Sequence, residues 1–70
     1  MPNVTAPING KIVKINVAIG DTVKENQSLL VFEAMKMEMD LPAPTNGLIK
    51  EIKIKEGQQI DVDTILMVIE

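Results

Sequence analysis

The feature that most constrains this 70-residue chain is that it contains itself twice. Ala6-Pro7-Ile8-Asn9-Gly10 returns as Ala43-Pro44-Thr45-Asn46-Gly47, and the 37-residue offset runs on without a gap. Ile12 meets Ile49, Ile15 meets Ile52, Gly20 meets Gly57, Val23 meets Ile60, Leu29 meets Leu66 and Val31 meets Val68. Residues 6–33 and 43–70 therefore read as two copies of one unit, with residues 34–42 as the connector, all within a single domain spanning 1–70. A unit this short cannot bury its apolar face alone, so the copies must pair with each other.

Each copy reads as strands and turns. Glu51-Ile52-Lys53-Ile54-Lys55 alternates strictly, the period of a half-buried strand, and is expected to run until Gly57. Leu29-Leu30-Val31-Phe32 and Ile65-Leu66-Met67-Val68-Ile69 are short apolar runs, too brief for helices and rich enough in β-branched residues to be buried strands. Asn9-Gly10, Gly20-Asp21 and Asn46-Gly47 read as turns, with Asn26 and Asp63 as further turn residues at equivalent positions. The expected fold is all-β: two copies of a three- or four-strand unit paired about a pseudo-twofold axis into a small sandwich or flattened barrel.

Composition then removes most kinds of active site. There is no Cys, His, Trp or Tyr, and all seven basic residues are Lys. That excludes Ser-His and Cys-His dyads, disulfides, thiol redox pairs and the usual zinc ligand sets, so no metal site and no catalytic residue is expected. A formal net charge of −3, no Arg and Phe32 as the one aromatic give no platform for nucleic acid and no attraction to an anionic membrane. No run is long enough for a transmembrane helix, and Met1-Pro2-Asn3-Val4-Thr5 lacks the pattern of a signal peptide, so a cytoplasmic location is expected.

What the repeat leaves unexplained is the connector Ala34-Met35-Lys36-Met37-Glu38-Met39-Asp40-Leu41-Pro42, which holds three of the five methionines. A strand at 28–33 followed by one at 37–41 requires a reversal at Ala34-Met35-Lys36, with Met37, Met39 and Leu41 on one face of the second strand. Two-residue hairpin turns favour Asn-Gly or Gly-X because they need positive φ. Neither is available here. Forcing Met35 and Lys36 into such a turn costs on the order of 1–3 kcal/mol per residue, which a turn with a purely structural role has no reason to retain. The spacing predicts a taut turn presenting the Lys36 amine to water, with at least one of the two residues at positive φ.

Glu33-Ala34-Met35-Lys36-Met37-Glu38 resembles the attachment motif of biotinyl domains, the biotin carboxyl carrier modules of biotin-dependent carboxylases and decarboxylases. The likeness extends to Ala6-Pro7-x-x-Gly10, Gly20-Asp21-x-Val23, Leu29, Ala43-Pro44-x-x-Gly47 and Gly57, and so covers almost the whole chain. The insertion that forms a protruding thumb in some bacterial carriers is absent. The resemblance implies a non-catalytic carrier whose Lys36 is amidated by biotin, with Ala34, Met35 and Met37 read by a biotin protein ligase and forming the turn, and Glu33 and Glu38 orienting it. It further implies a flattened barrel of two four-stranded antiparallel sheets, and a swinging arm that carries a carboxyl group between biotin carboxylase and carboxyltransferase or decarboxylase partners. Two alternatives stand beside it. One is a lipoyl carrier, although that family's Asp-Lys-Ala setting has Met35 in place of the acid here; the other is an interaction module using the Met-rich tip.

Overall fold

The computed structural model describes residues 3–70. Eight strands account for its regular structure, with no helix among the described residues: β1 (Asn3–Thr5), β2 (Gly10–Ile15), β3 (Thr22–Val23), β4 (Ser28–Ala34), β5 (Met37–Pro42), β6 (Gly47–Ile52), β7 (Gln59–Ile60) and β8 (Ile65–Ile69). They form two four-stranded antiparallel sheets in the orders β1-β8-β6-β3 and β5-β4-β2-β7.

The two sheets are built alike, down to single hydrogen bonds. Gly20 N–H donates to the Ile49 carbonyl at 2.8 Å, and Gly57 N–H, 37 residues on, donates to the Ile12 carbonyl at 2.7 Å. Asn26 N–H reaches the Ala43 carbonyl and Asp63 N–H the Ala6 carbonyl, both at 2.8 Å. Side chains follow the same rule: Asn46 Oδ1 accepts from Glu25 N–H and Asn9 Oδ1 from Val62 N–H, each at 2.7 Å. Even the register shifts match, between Ile12 and Lys14 in β2 and between Ile49 and Glu51 in β6. Each half supplies strands to both sheets, so neither can close its hydrogen bonds without the other.

Between the sheets lies one core that draws on both halves, with Ile12, Leu29, Leu30, Phe32, Ile49, Leu66, Met67 and Ile69 fully buried. No side-chain polar or charged residue is buried among those described, and no buried side-chain N or O lacks a partner. Stability therefore rests on apolar packing, at about 25 cal/mol per Å² of buried surface.

Gly20 and Gly57 sit at φ 96° and 86°, and Asn26 and Asp63 at 73° and 69°, as the turn pattern requires. Gly10 and Gly47 differ from expectation. They are not turn residues but the first residues of β2 and β6, and neither has positive φ. Glycine is needed there for closeness: a Cβ on Gly10 would lie 2.6 Å from the Phe32 ring, and one on Gly47 2.5 Å from the Ile69 side chain.

The strand expected over 51–55 also ends early, at Ile52. The alternation nevertheless persists, with Ile54 buried between exposed Lys53 and Lys55. Beyond Ile52 the chain is tied by Lys53 N–H to the Leu66 carbonyl at 2.8 Å, so the periodicity outlasts the strand assignment.

Candidate functional site

The β4–β5 hairpin carries the site. Its ladder runs through Leu30 and Leu41, Phe32 and Met39, Glu33 and Glu38, and closes on Ala34 and Met37. Two residues remain for the reversal. Met35 has φ 53° and Lys36 φ 64°, so both occupy the left-handed region that non-glycine residues avoid. Consecutive positive φ values mark the hairpin turn whose twist matches that of the flanking strands. The reversal predicted from sequence is present, with both residues strained where one was required. Both positions lie in the connector, residues 34–42, between the two copies of the repeat.

Lys36 is exposed. Met35 on one side is 82% exposed and Met37 on the other 68%, values far above those of the buried Met67 in β8. Met37, Met39 and Leu41 share a face of β5 with the buried Ala34, Phe32 and Leu30 opposite them. Burial falls off toward the tip, however: Leu41 is half-buried, Met39 is 41% exposed and Met37 is in water. Since β5 is an edge strand, its tip has no further strand to cover it. The result is a primary amine between two flexible thioether side chains, which adapt to a partner surface more readily than branched residues do.

The opposite face of the hairpin is charged. Glu33 and Glu38 stand directly across from each other, and Lys11 pairs with Glu33 from the other side. Further from the tip, Asn16 Nδ2 donates to Ser28 Oγ at 3.2 Å and Ser28 Oγ donates to Asp40 Oδ1 at 3.1 Å, tying β5 down below the turn. Beside the turn lies a groove of about 380 Å³ bounded by Asn9, Gly10 and Lys11, by Glu33 to Lys36, and by Gln59. Its size falls within the range of small-ligand sites, roughly 300–1,000 Å³.

No cluster of three or more acidic, His or Cys side chains suited to a metal occurs among the described residues, and no helix there is long and apolar enough to cross a membrane. The exposed amine fits a group attached by acylation; nothing about it calls for a buried cavity. Lys11 and Gln59, which sequence reasoning did not single out, join the site through strand register alone.

Residues 1–69 match the biotin–lipoyl family, described as "Biotin-requiring enzyme". The chain is 42% identical over 64 residues to a biotin carboxyl carrier protein of Streptococcus mutans, covering 91% of this chain and 49% of that protein. It is 41% identical over 56 residues to the dihydrolipoyllysine-residue acetyltransferase component of a pyruvate dehydrogenase complex of Haemophilus influenzae, covering 80% of this chain and 10% of that protein. Among solved structures, the Kluyveromyces lactis urea carboxylase matches with a TM-score of 0.91 at 28% identity, over 99% of this chain and 6% of the carboxylase. The chain thus spans at most about half the length of these relatives.

Proposed function

Because the chain belongs to the biotin–lipoyl family of biotin-requiring enzymes, we propose that residues 1–70 are one biotinyl domain, a carrier without catalytic activity of its own whose Lys36 holds biotin in amide linkage. The observation that carries this reading is the exposed Lys36 at a two-residue turn with φ 53° and 64°, between Met35 and Met37. Relatives of both cofactor types match the chain, and the tip favours the biotin reading: Met35 precedes the lysine where lipoyl domains place an acid.

In the loading step the unprotonated Lys36 Nζ attacks the acyl carbon of a biotinyl-adenylate held by a biotin protein ligase. The C–N bond of the amide forms, the acyl–phosphate bond breaks to release AMP, and the proton lost by the attacking nitrogen passes to a base on the ligase. The rigid turn presents the amine away from the domain surface, and Met35 and Met37 form an apolar collar for the ligase to read. Glu33 and Glu38, opposed across the hairpin beneath the turn, hold its outer face acidic and help orient it. Once attached, biotin supplies a ureido nitrogen able to carry a carboxyl group.

Lysine stem and acyl chain together reach on the order of 12–15 Å at normal bond lengths. This tether gives a high effective concentration at each site it visits. The partners are therefore a biotin carboxylase and a carboxyltransferase or decarboxylase, as separate subunits or as domains of one longer chain. Parallel incubations with biotin ligase, biotin and ATP, and with a lipoyl ligase and lipoate, test the reading by intact mass. A biotin-sized gain in the first and none in the second is expected. The reverse outcome overturns it in favour of a lipoyl carrier, and no gain in either favours the interaction module.

A further inference from the structure

A single row of side chains crosses the whole outer face of the β5-β4-β2-β7 sheet just below the Lys36 turn. Glu38 pairs with Glu33, Glu33 with Lys11, and Lys11 with Gln59. Directly opposed residues project to the same face, with strands about 4.8 Å apart, so the stretch from Glu33 to Gln59 spans about 10 Å. Three of these residues, Glu33, Lys11 and Gln59, line the groove beside the turn together with Gly10. Their side chains make no hydrogen bond or ion pair with one another or with any other described residue.

The other sheet has an equivalent row, 37 residues displaced. Glu70 pairs with Leu48 through reciprocal backbone hydrogen bonds of 2.8 and 3.0 Å, and Leu48 pairs with Thr22. Glu33 thus has an acidic equivalent, but an exposed leucine stands for Lys11 and a threonine for Gln59. The duplicated backbone is the same at both ends. Only the end bearing Lys36 carries the sequence carboxylate, ammonium, carboxamide.

That order is complementary to a cyclic urea, which offers a carbonyl acceptor between two N–H donors. The Glu33 carboxylate accepts from one N–H, the Lys11 ammonium donates to the carbonyl, and the Gln59 Oε1 accepts from the second N–H. We propose that the groove formed by Glu33, Lys11 and Gln59 is a resting berth for the ureido ring of the arm on Lys36, which folds back onto its own domain between visits to partner sites. This rests on the reading that Lys36 carries biotin. The 12–15 Å arm is longer than the row, and the groove begins at Lys36 itself, so the ring reaches the berth without moving the turn. A dithiolane ring has neither N–H nor carbonyl and gains nothing there. The exposed, solvent-screened contacts make the berth shallow, as a shuttle requires.

The test compares apo and biotinylated domain by amide NMR, after intact mass has confirmed loading. Parking predicts biotin-dependent shifts at Gly10, Lys11 and Gln59, including the Gln59 side-chain amide, with cross-relaxation between that amide and the ureido protons. The Lys11→Ala/Gln59→Ala double variant, altered only at exposed sites, is expected to load fully yet lose the shifts at Gly10 and in β7. Shifts confined to residues 34–38 in the fully loaded wild-type domain overturn the berth while leaving attachment intact. An unchanged intact mass overturns attachment, and the berth with it.

Discussion

Ala34 and Met37 are the last residues the β4–β5 ladder joins, and the two residues between them, Met35 and Lys36, both lie at positive φ. The hairpin therefore closes on a turn that its own residues disfavour. Asn-Gly would serve that geometry at far lower conformational cost. Combining Met35→Asn with Lys36→Gly is expected to stabilise the domain by about 1–2 kcal/mol, read as a higher denaturant midpoint at unchanged slope. A midpoint at or below that of the wild type contradicts the idea that strain is held at the tip.

Recognition of the tip is a separate matter from its strain. Met35 and Met37 are too exposed to support the core, so Met35→Asp and Met37→Asp should each leave the fold intact, read as an unaltered circular dichroism spectrum. Loss of one buried methionine contact at the ligase costs about 1.5–3 kcal/mol, which corresponds to a fall of roughly tenfold or more in kcat/KM for biotin transfer. Equal transfer rates in wild type and both variants would remove the collar from the account.

At Gly10 and Gly47 the packing argument is symmetrical. A methyl group on Gly10 meets the Phe32 ring and the Glu33 carbonyl, and one on Gly47 meets Ile69 and the Glu70 carbonyl at 2.7 Å. Because backbone atoms are involved, neither clash is relieved by a rotamer change. Gly10→Ala and Gly47→Ala are each expected to destabilise by about 1–3 kcal/mol or more, in contrast to an alanine that merely removes a turn preference. Thermal melts showing no loss at either site would indicate that the neighbouring strands β2 and β4, and β6 and β8, approach less closely there than described.

These glycines mark the boundary of what the sequence makes legible. Their neighbours Asn9 and Asn46 look like turn residues, and both do cap loops through Oδ1. What forbids a Cβ at Gly10, however, is the ring of Phe32, brought close only by the β2–β4 register. The duplication, the pairing of the halves and the taut turn at Met35-Lys36 were all readable, since each depends on spacing or on residues missing where they are favoured. The row Glu33–Lys11–Gln59 was not readable, because it joins three strands far apart in the chain through pairing that no local pattern encodes. The end of β6 at Ile52 was hidden for the opposite reason: Ile54 stays buried after the ladder stops, so the alternation overruns the strand.

One pH effect follows from the ion pair between Lys53 and Glu51. Lys53 Nζ lies 2.8 Å from Glu51 Oε2, and its hydrogen bond, then its charge, holds the Glu51 carboxyl below its ordinary value of 4.5. A carboxyl whose pKa is lowered by folding contributes stability above its unfolded pKa and loses it as pH falls through the lowered one. Melting temperatures of wild type and Glu51→Gln should therefore differ slightly near neutral pH and converge well below pH 4.5, with the small gap expected of an exposed pair. A gap that widens on acidification contradicts the assignment.

The central claim is that the strained tip exists to offer one amine for acylation, and the position of the added group tests it most directly. After reaction with biotin ligase, biotin and ATP, the protein is digested and the modified residue located by tandem mass spectrometry, with Lys36→Arg treated in parallel. The account predicts biotin on Lys36 alone among the seven lysines and an unmodified Lys36→Arg protein. Biotin on any other lysine, or a Lys36→Arg protein that loads as fully as the wild type, contradicts it.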